Sequence, residues 1–178
     1  MTIQEIAALT LAGCAVLTDL RYGKIRNPLI LAGWIAGVLM FIIPAVIYFM
    51  HGLPVDGANE LLMLMGGVSV PLLLGAILFR LRMLGAGDIK LLSAIGAIVG
   101  CPQILRVIVW SIVFGAAIAA AILIFCGGFE SAAERIRKFA RESLAAGHPV
   151  AYRDGSDKSG DFHFSIPVLM AVAVCAMR

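Results

Sequence analysis

The sequence has few charged residues and no closely spaced cysteines, and both shortages narrow the classes of protein it can encode. Only 14% of its 178 residues are charged, whereas soluble domains contain about a quarter. The four cysteines, Cys14, Cys101, Cys126 and Cys175, are scattered and form no CxxC pair. This spacing excludes a zinc knuckle and a thioredoxin-like redox site. It predicts small buried hydrophobic side chains rather than a disulfide framework.

Patterns that identify cofactor and nucleic-acid sites are also missing. The sequence has no nucleotide-binding glycine motif and no internal repeat. Its basic residues are accounted for by the loops between apolar segments, so no separate nucleic-acid patch is left. We therefore expect no cofactor, no bound metal and no nucleic-acid partner.

What the chain does have is long apolar sequence. It is 61% hydrophobic with a mean hydropathy of +1.00, and a helix that spans a bilayer needs about 20 apolar residues. We predict a single all-α transmembrane domain over residues 1–178, a polytopic membrane protein with six transmembrane helices. Its helices are expected at residues 3–20, 28–50, 61–79, 89–100, 104–126 and 162–177. The fourth, even when extended back to Gly85, reaches only about 24 Å, so its start is expected near one membrane face.

The positions of Lys and Arg predict the orientation. All of them except Arg106 and Arg178 follow the first, third or fifth apolar segment. In a six-helix chain these three segments share one side, and the positive-inside rule makes that side cytoplasmic. The prediction is a membrane protein with both termini outside the cytoplasm and the loop 51–60 external.

The segment 127–161 is the one long polar stretch. Within it, apolar residues from Phe129 to Leu144 recur at helical spacing, and basic residues fill the other face. This pattern predicts an amphipathic helix on the cytoplasmic membrane surface, between the fifth and sixth helices. A solvated connector helix without lipid contact is the alternative.

Two aspartates lie at the ends of apolar segments on the predicted cytoplasmic side. Asp19 closes the first helix and Asp88 opens the fourth, so the topology brings them to the same depth. A charge in or near hydrocarbon costs several kcal/mol unless it is paired or hydrated, which makes such residues functional candidates. Two facing carboxylates can hold one proton between them. One can then take a proton from water while the other donates to a carbonyl oxygen, which is general acid–base peptide hydrolysis.

Glycines precede the second aspartate. Gly85 and Gly87 are expected to allow a positive φ and the close approach of an extended substrate; a plain tight turn is the alternative. Each charged residue also has a structural alternative. Asp88 can be a helix N-cap, Asp19 can pair with Arg21 or Lys24, and Lys90 can pair with a carboxylate or extend to the lipid interface.

Together the two stretches resemble a known family. "DLRYGKIRN" (residues 19–27) resembles its first signature, an aspartate followed by basic residues, then Ile, any residue and Asn. "GAGDIKLL" (residues 85–92) resembles the second, Gly-x-Gly-Asp with a hydrophobe and Lys. The sequence is therefore similar to the type IV prepilin peptidases, which are GxGD aspartic proteases. "FHFSIPVLMAVAV" (residues 162–174) loosely resembles the Pro-containing helix that closes the family's fold.

The resemblance implies an activity and a site. It implies cleavage of a short basic leader, which ends in Gly before an apolar helix, from prepilins or pseudopilins at the cytoplasmic membrane face. It also implies that the membrane is the bacterial inner membrane, so that both termini are expected in the periplasm. Asp19 and Asp88 are then the catalytic pair. Gly85, Gly87, Lys90, Arg21 and Asn27 complete the two signatures. The partners expected are the substrate and the lipid bilayer; the oligomeric state cannot be read from the sequence.

The resemblance also suggests a branch of the family. The larger members carry an N-terminal segment with paired cysteines and methylate the mature pilin. This chain has no CxxC pair and begins with its first apolar helix, so it looks like the short stand-alone branch that serves Flp-type (tight-adherence) pili, and methyltransferase activity is not expected. Two other functions stay open at this point, a small proton-linked transporter and a non-catalytic subunit of a pilus or secretion assembly.

Overall fold

Helices account for all the regular structure that is described. The computed structural model describes residues 1–80, 84–125 and 163–177, together with residues 137 and 141. Its helices are α1 (Ile3–Tyr22), α2 (Asn27–Met50), α3 (Pro54–Arg80), α4 (Ala86–Val99), α5 (Cys101–Phe125) and α6 (Ser165–Ala176). The predicted all-α fold class is confirmed for this part of the chain.

Four of the described helices are long and apolar enough to cross a bilayer, namely α1, α2, α3 and α5. The shortest of them, α1, has 20 residues, which corresponds to about 30 Å of helix and matches the hydrocarbon thickness. In contrast, α4 has 14 residues and α6 has 12. The chain therefore has the helices of a membrane protein with four candidate spans. The six-span count stays a prediction.

The connection between α2 and α3 is shorter than the sequence predicts. Helix α3 begins at Pro54, inside the segment 51–60 that was expected to be a loop. Proline in a first helical turn loses no hydrogen bond, because that turn's N–H groups have no partner within the helix. Asp56, also in the first turn, interacts favourably with the positive end of the helix dipole. Polar composition alone therefore misplaces the start of this helix.

Helix α4 is the central element of the bundle. Every residue from 91 to 100 is buried, and α4 packs against α1, α2, α3 and α5. Helix α6 packs against α5 and α1. The outer helices α2 and α3 expose many large apolar side chains instead, including Leu31, Ile43 and Leu73. The short helix is thus surrounded by protein and the long ones have apolar surface for lipid.

Glycines set how closely α4 approaches its neighbours. A methyl group at Gly96 would collide with the backbone carbonyl of Gly67 on α3, and a methyl group at Gly37 on α2 would collide with the Ala97 backbone. Small residues at such crossings allow helix backbones to touch in lipid. These contacts hold α4, and therefore Asp88 at its start, at a fixed position in the bundle.

The end of α1 is also defined by a glycine. Gly23 has a φ of 63°, a left-handed conformation that glycine adopts without the penalty other residues bear. Its N–H donates to the backbone carbonyl of Asp19 at 2.8 Å. The turn leads directly into α2, whose first turn contains Pro28. Asp19 therefore lies in the last turn of α1, at the end of the bundle where α2 begins.

The predicted amphipathic helix falls in residues 127–161, which lie outside the described residues except for Arg137 and Arg141. Both of these are helical and exposed. The amphipathic helix therefore stays a prediction.

Candidate active site

A cleft opens where α1 ends and where α2 and α4 begin, and it contains both candidate acids. Its volume is about 330 Å³. The lining residues come from the end of α1, the connection to α2 and the start of α4: Asp19, Gly23, Lys24, Ile25, Asn27, Gly85, Gly87, Asp88 and Lys90. The cleft is large enough for several water molecules, since one water occupies about 30 Å³ in the liquid.

Asp19 is the more enclosed of the two acids. Only 8% of its surface is exposed, and its Oδ2 accepts a hydrogen bond of 2.6 Å from the Ser165 hydroxyl at the start of α6. Within the described part of the chain, it forms no ion pair with Arg21 or Lys24. The alternative of a simple interfacial ion pair for Asp19 is therefore wrong.

Asp88 is half-buried and is supported by its own helix. The N-cap of α4 is Gly85, and Asp88 lies in the first turn. Its carboxylate interacts with the backbone N–H of Gly85, the way a third-position acid reaches back in a capping box. The N-cap alternative for Asp88 is therefore wrong, although the residue does stabilise the start of the helix.

The two carboxylates face the same cleft and interact electrostatically with each other. His163, just before α6, also interacts electrostatically with Asp88. Two carboxylates at one cleft with room for water can divide the work of acid and base between them. The arrangement is chemically suited to activating a water molecule.

Gly85 and Gly87 act differently from the sequence-based expectation. Neither has a positive φ: Gly85 has a φ of −74° and Gly87 is within α4. A methyl group at Gly85 would lie 3.1 Å from Asp88 Oδ2, which is tight. At Gly87 the nearest atoms, from Ile25, would be 3.9 Å away. Gly85 therefore keeps space beside the Asp88 carboxylate, and the expectation of an unusual backbone is wrong.

The remaining predicted site residues divide into two groups. Asn27 and Lys90 line the cleft. Lys90 is exposed and forms no ion pair within the described residues. Arg21 is exposed in the last turn of α1 and is absent from the cleft lining. The structure thus brings together all the predicted site residues except Arg21.

Comparison with known proteins identifies the family to which the chain is similar. The model of the type IV leader peptidase family matches residues 6–120, more than half of the chain, and the matched region includes Asp19 and Asp88. The chain belongs to the type IV leader peptidase family. No curated protein and no solved structure gives a significant match.

Two residues that interact with the acids are not among the site residues predicted from the sequence. Ser165 and His163 lie about 75 residues or more beyond Asp88 in the chain, yet both interact with the acids. The available signal was the pair of polar side chains at the entry to an otherwise apolar closing helix. Sequence position alone does not reveal that α6 packs on α1 with Ser165 at the level of Asp19.

An apolar groove adjoins the cleft. It has a volume of about 400 Å³ and is lined by Asn27, Pro28, Ile30, Leu31, Trp34 and Lys90. Asn27 and Lys90 line both spaces, so the groove continues from the cleft along α2. The Trp34 Nε1 atom is buried with no hydrogen-bond partner among the described residues.

Among the described residues, no group of three or more His, Cys, Asp or Glu side chains is arranged to hold a metal ion.

Proposed function

We propose that this chain is a membrane-embedded aspartic endopeptidase that removes the basic leader peptide from prepilins or pseudopilins. The observation that carries the proposal is the meeting of two acids at one cleft. Asp19 and Asp88 come from different helices, face the same space and interact electrostatically, in a chain of the type IV leader peptidase family.

The proposed reaction is hydrolysis by general acid–base catalysis. One carboxylate takes a proton from a water molecule in the cleft, and the water oxygen attacks the scissile carbonyl carbon. The other carboxyl group, which is protonated at the start, donates its proton to the carbonyl oxygen. When the tetrahedral intermediate collapses, the C–N bond breaks and the amine leaves with a proton from the dyad. Positioned acids and bases of this kind contribute about 10² to 10⁴ in rate.

The change from polar cleft to apolar groove supports a leader junction as the substrate. A prepilin leader ends where an apolar helix begins, so the peptide on one side of the cut is polar and on the other side apolar. Apart from Ile25, the cleft is lined by charged residues, an asparagine and glycines. The groove shares Asn27 and Lys90 with it but is otherwise lined by apolar side chains, among them Leu31 and Trp34. A peptide extending from the cleft into the groove would meet surfaces of matching polarity.

The membrane orientation and the type of prepilin are inferred from the sequence. The distribution of Lys and Arg favours an inner-membrane protein with the cleft at the cytoplasmic face. Resemblance to the short branch favours Flp-type prepilins as substrates, cleaved without subsequent methylation.

The direct test is cleavage by membranes that contain single variants. Asp19→Asn and Asp88→Asn each keep the size of the side chain but lose the carboxylate, so each is expected to lower the rate of prepilin cleavage by at least about 100-fold. The measurement is the gel-mobility shift of the prepilin. Asp56→Asn is the matched control, because Asp56 is an exposed acid in the first turn of α3. Cleavage at the wild-type rate by either dyad variant would show that the assignment is wrong.

A second experiment tests the orientation. Ser156→Cys places a thiol in the long loop that is expected to be cytoplasmic. An impermeant maleimide added to intact cells is expected to leave it unlabelled, and labelling is expected only after the membrane is opened. Labelling of intact cells would reverse the proposed topology and place the cleft on the outer face.

A further inference from the structure

The buried contact between Ser165 and Asp19 joins the two ends of the chain. The Ser165 hydroxyl donates to Asp19 Oδ2 at 2.6 Å, within the range of about 2.5–2.7 Å seen for hydroxyl–carboxylate bonds. Ser165 is completely buried and Asp19 is 8% exposed. The hydrogen bond itself is therefore shielded from water although Asp19 lines the cleft, and the contact fixes one oxygen of the carboxylate.

A second fully buried serine has a different kind of hydrogen-bond partner. Ser111 is also completely buried, but its hydroxyl donates to the Val107 carbonyl at 2.7 Å within its own helix. That local bond is the usual solution for a serine within a helix. Ser165 instead uses its hydroxyl across helices, on a carboxylate that lines the cleft. The two serines have the same burial and different partners.

We propose that Ser165 is a positioning residue for the aspartate dyad. By holding Oδ2 of Asp19 it restricts rotation of the carboxyl group, which leaves Oδ1 to exchange protons with water or substrate. The proposal rests on the proposed role of Asp19 in hydrolysis. Ser165 lies outside the residues 6–120 matched by the family model, so that match assigns it no role.

The surroundings of Asp19 define what a pH profile would report. The charged or titratable groups that share its cleft are Asp88 and Lys90 from α4 and Lys24 after α1. His163, before α6, interacts with Asp88. These groups are unchanged by substitution of Ser165. A change in the pH profile on removal of the hydroxyl therefore reports on the dyad itself.

The test compares Ser165→Ala with Ser111→Ala in the full-length protein, in membranes, with prepilin as substrate. Ser165→Ala is expected to lower kcat by about 10- to 100-fold, since a misplaced reacting group costs about that much. Its KM should stay near the wild-type value and its profile of kcat against pH should be displaced. Ser111→Ala removes an equally buried hydroxyl and is expected to keep both kcat and the profile.

A third variant covers the case in which Ser165→Ala does not fold. Ser165→Cys is close to serine in size, and its thiol is a weak hydrogen-bond donor, so it should fold and show the same loss of kcat. The thermal unfolding midpoint in detergent verifies folding. Wild-type kcat in a folded Ser165 variant would overturn the proposal, as would equal losses in Ser165→Ala and Ser111→Ala. The proposed function fails separately, if Asp19→Asn is still active.

Discussion

The two candidate acids reach one cleft by different structural means. Asp88 is supported locally, because its carboxylate interacts with the N–H of Gly85 three residues earlier. Asp19 is supported from far away in the chain, by a hydroxyl of α6. Asp88 is half-buried beside the cleft, whereas Asp19 is almost fully enclosed. One half of the site is therefore built within a short motif and the other half depends on how the bundle packs.

This difference predicts how each half tolerates change. A locally supported side chain keeps its support as long as its helix starts at the same residue. A side chain held across helices depends on the positions of both helices, and a change of about 1 Å in a reacting group can cost about 100-fold in rate. Asp19 should therefore be the more sensitive position to changes in size.

The strongest test lengthens each acid by one methylene group. Asp19→Glu must place a longer side chain in an enclosed site and break the Ser165 contact, so kcat is expected to fall by at least about 100-fold. Asp88→Glu has the cleft beside it and should retain about tenfold more activity, which corresponds to about 1.4 kcal/mol of barrier. The measurement is kcat for prepilin cleavage. Greater damage from Asp88→Glu would contradict the comparison.

The next test moves the whole of α4 rather than one side chain. Gly96→Ala introduces a methyl group against the Gly67 carbonyl, and overpacking of this kind costs about 1–3 kcal/mol. Its thermal unfolding midpoint in detergent is expected to fall, together with cleavage. Gly13→Ala in α1 is the control, because the added methyl group would have no atom within 4 Å apart from its chain neighbours and the backbone of its own helix. A loss of stability at Gly13 as large as that at Gly96 would argue against close packing of α4.

A third test compares the glycine that ends α1 with the glycine that precedes α4. Gly23→Ala forces a left-handed residue at the end of α1, which costs about 1–2 kcal/mol, so the unfolding midpoint should fall. Gly85→Ala has ordinary backbone angles, but its methyl group would lie 3.1 Å from Asp88 Oδ2. It should lower kcat by about tenfold with little change in stability. The reverse pattern would mean that Gly85 serves the fold and Gly23 serves the chemistry.

The smallest expected effect concerns the groove. Leu31 lines it and Leu39 does not, although both are on α2 with similar exposures of 55% and 51%. Full burial of a leucine side chain contributes about 1.5–3 kcal/mol of free energy. If the apolar part of the substrate contacts Leu31, Leu31→Ala loses a fraction of that binding free energy. KM should rise by about fivefold, and Leu39→Ala should leave KM unchanged. Equal KM values for the two variants would remove the groove from the substrate path.

Much of this arrangement could be predicted from short patterns in the sequence. The two signatures identify Asp19 and Asp88, and the alternation of apolar segments places them at the same end of the bundle. The observed bounds of α1 and α2 lie close to the predicted ones because Gly23 and Pro28 are strong local signals. The start of α3 was missed, because a polar first turn resembles a loop in composition.

The sequence by itself determined that the chain forms apolar helices and that two carboxylates come to the same end of the bundle, because composition and local spacing carry that information. Only the tertiary structure decided that α4 is central, that Gly96 contacts Gly67 and that Ser165 holds Asp19. The physical reason is that lipid tails are as apolar as a protein core. A helix buried among other helices and a helix facing lipid therefore have similar sequences, and only the packing distinguishes them.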